Sequence, residues 1–131
     1  MRQLRKIIHI DDDPILRMMV QRSIERSNHG LEIISCSIAQ EMMDQLPVFK
    51  PDILLIDVSM PVLNGPDLLR KIRSLRDRTP AIFMTGHEKL ILEDQEMLEP
   101  ILGIIPKPFV PAELGHSLVE MWNDFIDNQG E

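Results

Sequence analysis

The chain alternates short apolar runs with longer segments whose apolar residues recur every three or four positions. The first run, Lys6–Ile10, is closed by an acidic triplet, Asp11, Asp12 and Asp13. Pro14 follows, suited to the first turn of a helix, where a missing N–H costs nothing. Leu16, Val20 and Ile24 then repeat at four-residue spacing, which predicts a helix to about Asn28 with Gly30 near its end. A second run over residues 31–36 precedes a short helix over about 39–46. The third run, residues 52–57, is continuously apolar from Ile53 to Ile56, the pattern of a strand buried on both faces. A loop through Met60, Pro61, Asn64 and Gly65 leads into a helix carrying Leu68, Leu69, Ile72 and Leu75. The fourth run, residues 81–84, ends in Thr85 and Gly86, and a helix is expected over about 89–98. The fifth, residues 103–105, precedes Lys107, Pro108 and Phe109, and a last helix is expected over about 112–126.

Five strands alternating with five helices call for a parallel sheet covered by helices on both faces. In such sheets ligands bind beyond the carboxyl ends of the strands, at the topological switch point. The residues just past the apolar runs are Asp11 and Asp12, Asp57, Thr85 and Lys107. Singly, an Asp there is ordinarily a cap or turn former. Together they place three carboxylates, a hydroxyl and an amine on one edge of the sheet. Clustered carboxylates repel and raise a pKa unless a cation is present. Mg²⁺ suits such a set, since it takes oxygen ligands and binds a few carboxylates together with a phosphate oxygen. Lys107 offers a point charge for a phosphoryl oxygen, and Thr85 offers a hydroxyl donor. Asp57 ends the most apolar strand and is the natural nucleophile.

Composition changes this picture little. A length of 131 residues suits one domain, residues 1–131, with a single core. The net charge of −7 argues against direct nucleic-acid binding, which needs clustered Lys and Arg. The basic residues at Arg2, Arg5 and Lys6, and from Arg70 to Arg78, read as solvated ends of elements. Cys36, the single cysteine, excludes an internal disulfide and reads as a small core residue. No apolar stretch reaches membrane-spanning length and no signal-peptide core stands at the N-terminus, so a cytoplasmic location is expected.

The stretches IIHIDDDP (7–14), PDILLIDVSMPVLNG (51–65), PAIFMTG (80–86) and IIPKPF (104–109) resemble, in order and spacing, the motifs of bacterial response-regulator receiver domains. The resemblance implies a (βα)5 flavodoxin-like fold with strand order 2-1-3-4-5. It implies that Asp57 accepts a phosphoryl group from a histidine kinase or histidine phosphotransfer protein, with Thr85 and Lys107 as its partners. Mg²⁺ would be held by Asp11, Asp12, Asp57 and the backbone carbonyl of Ser59, with Asp12 the more direct ligand of the acidic pair. The Lys107–Pro108 bond is cis in the family, and Asp13 reads as a turn or cap residue. Such a module is not an enzyme in its own right, though it assists its own phosphorylation and dephosphorylation, and it signals through protein contacts.

The chain departs from the family at Ile104, where an aromatic residue is usual; there is no Tyr at all. The inward turn of that aromatic ring cannot be repeated, so readout should run through backbone shifts after Thr85 or by another route. His87 occupies a position that tunes dephosphorylation in the family, or is a plain loop histidine. On the last helix, Leu114, Leu118, Met121 and Phe125 form a core stripe. Val119, Trp122 and Ile126 widen it, giving either a broad core face or a homodimer or partner surface. Two other readings compete. One is a receiver unit cut from a larger regulator or enzyme. The other is a haloacid-dehalogenase-type phosphatase using Asp11 and Asp13, which would leave Asp57 without a role. A flavodoxin lacks support, because no Ser/Thr-rich loop follows the first run.

Overall fold

Parallel pairing joins five strands in the order β2-β1-β3-β4-β5. The computed structural model describes residues 2–86, 90 and 92–129. Its elements are β1 (Lys6–Ile10), α1 (Pro14–Glu25), β2 (Glu32–Cys36), α2 (Ala39–Phe49), β3 (Ile53–Asp57), α3 (Gly65–Ser74), β4 (Ala81–Thr85), α4 (Gln95–Leu98), β5 (Ile101–Pro106) and α5 (Pro111–Gln129). The expected fold class and strand order are both found. The order reverses between β1 and β3, so the switch point lies where Asp11 and Asp57 end their strands.

Period-two alternation divides the core into two layers. Ile8, Ile10, Leu54, Ile56 and Phe83 pack with α2 and α3 through Met42, Leu46, Leu68, Leu69 and Ile72. Ile7, Ile53, Leu55, Ile82, Met84 and Ile105 pack on the other face with Val20 and Ile24 of α1 and Leu114, Leu118 and Trp122 of α5. Strands β3 and β4 are buried at every position, which is why both read as unbroken apolar runs. Trp122 is a core residue, 2% exposed, and its indole N–H donates to the Arg2 carbonyl at 3.0 Å. The wide apolar stripe of α5 is therefore largely taken up by the sheet and the N-terminal arm. Cys36 is buried as expected, and burial pushes its thiol up to about 11.

Four expectations need correction. Helix α1 stops at Glu25 rather than near Asn28, because Asn28 (φ 62°) and Gly30 (φ 68°) both turn left-handed. Helix α2 runs three residues past Leu46 to Phe49, with Pro47 in its last turn and Lys50 as a left-handed cap. Leu75 is not core but caps α3 at 63% exposure. The fourth helix is a single turn from Gln95, and described residues 90 and 92–94 are not helical. Arg70 holds Asp94 at the head of that turn with two bonds, Nε to Oδ2 at 2.5 Å and Nη2 to Oδ1 at 2.7 Å. The rest of the expected helix, residues 89 and 91, and His87 lie outside the described residues.

Arg73 also departs from expectation. It is 6% exposed, and its guanidinium donates to the carbonyls of Leu98, Asp77, Thr79 and Pro100. Burial pulls its pKa down to about 10. It ties α3 to the entry points of β4 and β5 and is no solvated surface charge.

Candidate functional site

Main-chain bonds fix the chain just past the ends of β1, β3 and β5. Asp11 N–H donates to the Cys36 carbonyl at 3.1 Å, Val58 N–H to Met84 at 2.9 Å and Lys107 N–H to Thr85 at 2.8 Å. These bonds carry the ladders one residue past the strands, so the loops leave from fixed points. Asp13 caps α1, accepting from the N–H groups of Ile15 and Leu16, and its own N–H donates to Asp11 Oδ1 at 3.0 Å. Arg17 Nη1, one turn into α1, donates to the Asp11 carbonyl at 2.8 Å. On the other side Asn64 caps α3 by accepting from Asp67 N–H at 2.9 Å. A side chain at Gly65 would strike the Asp57 carbonyl, so glycine alone lets α3 begin against the end of β3.

Carboxylate oxygens of Asp11, Asp12 and Asp57 lie within 4.8 Å of one another. Asp11 and Asp57 are buried, 1% and 2% exposed, while Asp12 is open to solvent. Lys107 Nζ bridges the buried pair, donating to Asp57 Oδ1 at 2.5 Å and Asp11 Oδ2 at 3.3 Å. Burial, and after it the charge of Asp57, raises the pKa of Asp11 against the opposing pull of its hydrogen bond from Asp13 and of Lys107. Desolvation works to lower the pKa of Lys107, but the Asp57 and Asp11 carboxylates outweigh it and raise it. Three carboxylates thus face one ammonium, an arrangement that fits a hard divalent cation with oxygen ligands.

Thr85, 3% exposed, closes β4 in register with Pro106. The Lys107–Pro108 bond is cis, as is Glu99–Pro100. Ser59 lies in the exposed loop after β3. All the residues singled out at the strand ends are brought to one edge. Two neighbours escaped the sequence reading. Arg17 has no strand-end position to mark it. His9 reads as part of an apolar strand, yet it is fully buried two residues before Asp11, with Nδ1 at 3.4 Å from Ser35 Oγ.

The family profile described as the response regulator receiver domain matches residues 7–119. The chain belongs to that family. It is 36% identical over 114 residues to a protein-glutamate methylesterase/protein-glutamine glutaminase of Clostridium acetobutylicum, covering 83% of this chain and 32% of that protein. It is 31% identical over 100 residues to the DNA-binding transcriptional regulator NtrC of Klebsiella pneumoniae, covering 76% of this chain and 21% of the regulator. The receiver thus spans a third or less of the length of these two relatives. A response regulator receiver domain from Clostridium thermocellum superposes with a TM-score of 0.75 at 26% identity, over 92% of this chain and 96% of that one.

Membership removes the phosphatase reading, and the geometry supplies the reason. Asp13 is committed to capping α1 and is not posed as an acid beside Asp11, while Asp57 is one of the three clustered carboxylates. Among the described residues of this receiver no helix is long and apolar enough to cross a membrane.

Proposed function

We propose that this receiver accepts a phosphoryl group on Asp57 from the phosphohistidine of a histidine kinase or histidine phosphotransfer protein. The observation that carries the reading is Lys107 Nζ lying between Asp57 and Asp11 at the switch point of the sheet. In the transfer, an Asp57 carboxylate oxygen attacks phosphorus, the P–O bond forms, and the P–N bond to the donor imidazole breaks with the electron pair leaving on nitrogen. Lys107 passes from Asp57 to a phosphoryl oxygen and compensates its charge. Thr85 donates its hydroxyl to another phosphoryl oxygen. Asp11, Asp12, Asp57 and the Ser59 carbonyl would hold Mg²⁺, which, when bound, supplies positive charge for an anionic donor to approach three carboxylates. Residues 1–131 act as one receiver module that assists its own phosphorylation and dephosphorylation.

A protein donor fits the rim of the site. Ile15, Ile38, Val62 and Val110 are exposed large apolar residues, and all follow the carboxyl ends of strands. Val62 is fully exposed with φ at 61°, an unusual conformation for a β-branched residue. Output then passes to another protein or to a further part of a larger regulator. The larger size of the curated relatives favours that second route. A cytoplasmic location accords with such partners.

The deciding experiment incubates the protein with Mg²⁺ and acetyl phosphate and follows intact mass. Wild type should gain one phosphoryl group and Asp57→Asn none. Uptake retained in Asp57→Asn and lost in Asp11→Asn would overturn the assignment.

A further inference from the structure

Asp12 is the exposed member of the acidic cluster, so burial does not hold it in place. Its position comes from the two peptide groups that flank it. The carbonyl of the first, that of Asp11, accepts from Arg17 Nη1 at 2.8 Å. The N–H of the second, that of Asp13, donates to Asp11 Oδ1 at 3.0 Å. Arg17 is fixed from the same segment, its own N–H donating to the Asp13 carbonyl at 2.9 Å. These bonds run from Asp13 to Asp11, from Arg17 to Asp13 and from Arg17 back to Asp11, and so close a ring around Asp12. The first is a local turn contact that an Asp makes two residues along the chain, and the second belongs to the first turn of α1. Only the third needs a long side chain to reach back. Arg17 is half-buried, and among the described residues its guanidinium has the Asp11 carbonyl as partner and no carboxylate at ion-pair distance. Beside three carboxylates, its charge is directed at the main chain.

We propose that Arg17 is the positioning residue of the cation site. By holding the Asp11 carbonyl it fixes the peptide that joins Asp11 to Asp12, and so sets how both carboxylates face the ion. The inference rests on the reading of Asp11, Asp12, Asp57 and the Ser59 carbonyl as Mg²⁺ ligands. Mg²⁺ demands near-ideal octahedral geometry, so a rotation of that one peptide costs affinity. Groups that orient metal ligands typically contribute about 10–100-fold to binding. Charge alone makes the opposite prediction. A guanidinium near a dication repels it, and its removal should tighten binding. The sign of the change therefore separates orientation from electrostatics. Because Arg17 acts through Asp11, phosphoryl transfer should recover once Mg²⁺ is saturating.

Calorimetric titration of the full chain with Mg²⁺ tests this without any phosphoryl transfer. Arg17→Met should weaken Mg²⁺ binding about tenfold. Arg17→Lys, which keeps a donor on a shorter stem, should lose less. Arg22→Met, an equal loss of charge at an exposed position of α1, should bind as wild type does. In uptake from acetyl phosphate, the Mg²⁺ concentration for half-maximal rate should rise in Arg17→Met, while the rate at saturating Mg²⁺ stays near that of wild type. Melts in EDTA show whether each variant is folded at the titration temperature. If Arg17→Met is not, Arg17→Lys carries the comparison, with a smaller loss of the same sign. Mg²⁺ affinity unchanged or tightened in the Arg17 variants, or weakened equally by Arg22→Met, would overturn the proposal. Wild type that binds no Mg²⁺, or Asp12→Asn that binds it as tightly as wild type, would overturn the metal-site reading and the proposal with it.

Discussion

At the scale of single residues, the pocket's electrostatics turn on Asp11. Its carboxyl is almost fully buried, and Asp57 adds a like charge beside it, so its pKa stands above the ordinary value. A raised carboxyl pKa means the folded chain holds its proton to higher pH than the unfolded chain does. Ionising it therefore costs stability, and the cost is fully present above the folded pKa. Without divalent cations, Asp11→Asn should raise the melting temperature at pH 7, corresponding to about 1 kcal/mol. With Mg²⁺ the ordering should reverse, because the cation stabilises wild type by mass action and the variant less. Thermal melts with and without EDTA would check both signs; a variant less stable in EDTA would contradict the account.

His9 gives the opposite slope. Burial, then the charges of Lys107 and Arg17, lowers its pKa to about 3. Unfolding restores a value of about 6.5, so the unfolded chain takes up the extra proton and stability falls as pH drops from about 6.5 towards 3. His9→Leu should flatten that loss in chelator-treated protein and leave the Asp11 trend in view, measured by urea denaturation at several pH values. An unchanged slope would show that His9 is protonated in the folded state. The acidic residues and Lys107 were legible because each follows an apolar run directly. His9 was not, since one polar residue in an apolar strand carries no mark of what lies on either side of it. Arg73 was hidden for a related reason: two of its four carbonyl partners, Leu98 and Pro100, lie far along the chain, and the other two, Asp77 and Thr79, are in the loop that follows α3.

At the scale of elements, the two caps beside the site set its geometry. Asn64 and Gly65 begin α3 directly against the last carbonyl of β3. An added Cβ at Gly65 would also lie 2.9 Å from Ile56 Cγ2, so neither backbone nor core can yield freely. Gly65→Ala should cost roughly 1–3 kcal/mol in urea denaturation and reduce phosphoryl uptake, because the Asp57 carbonyl must move. Gly86→Ala is the contrast, since the nearest atom to its Cβ is the Lys107 carbonyl at 4.0 Å. It should fold with near wild-type stability; similar losses in both would rule out the close approach as the cause. The strands were legible because burial on both faces leaves unbroken apolar runs. Helix lengths were less so. Left-handed residues at Asn28 and Lys50, and an ion pair from Arg70 to Asp94, decide where α1, α2 and α4 stop or start. None of these is visible as a period in the sequence.

At the scale of the whole molecule, the question is how an event at Asp57 reaches the surface. Ile104 stands where an aromatic residue is usual in receivers, and it is 42% exposed on β5, in register with buried Phe83. It has no ring to turn inward, so a side-chain switch at this position has no moving part. What does connect the site to this edge is main chain. Lys107, which holds Asp57 through its ammonium, is tied to β4 by its N–H bond to the Thr85 carbonyl at 2.8 Å. If a phosphoryl group draws Lys107 Nζ away from Asp57, the strain falls on the β4–β5 ends before it reaches any side chain. Beryllofluoride with Mg²⁺ should therefore change amide-exchange protection at Thr85, Gly86 and residues 104–107, while β2, on the opposite edge, stays the same. Ile104→Ala should preserve this pattern and lose less than about 1 kcal/mol of stability. Exchange unaltered along β4–β5, or altered only when Ile104 is intact, would mean that the backbone route is wrong.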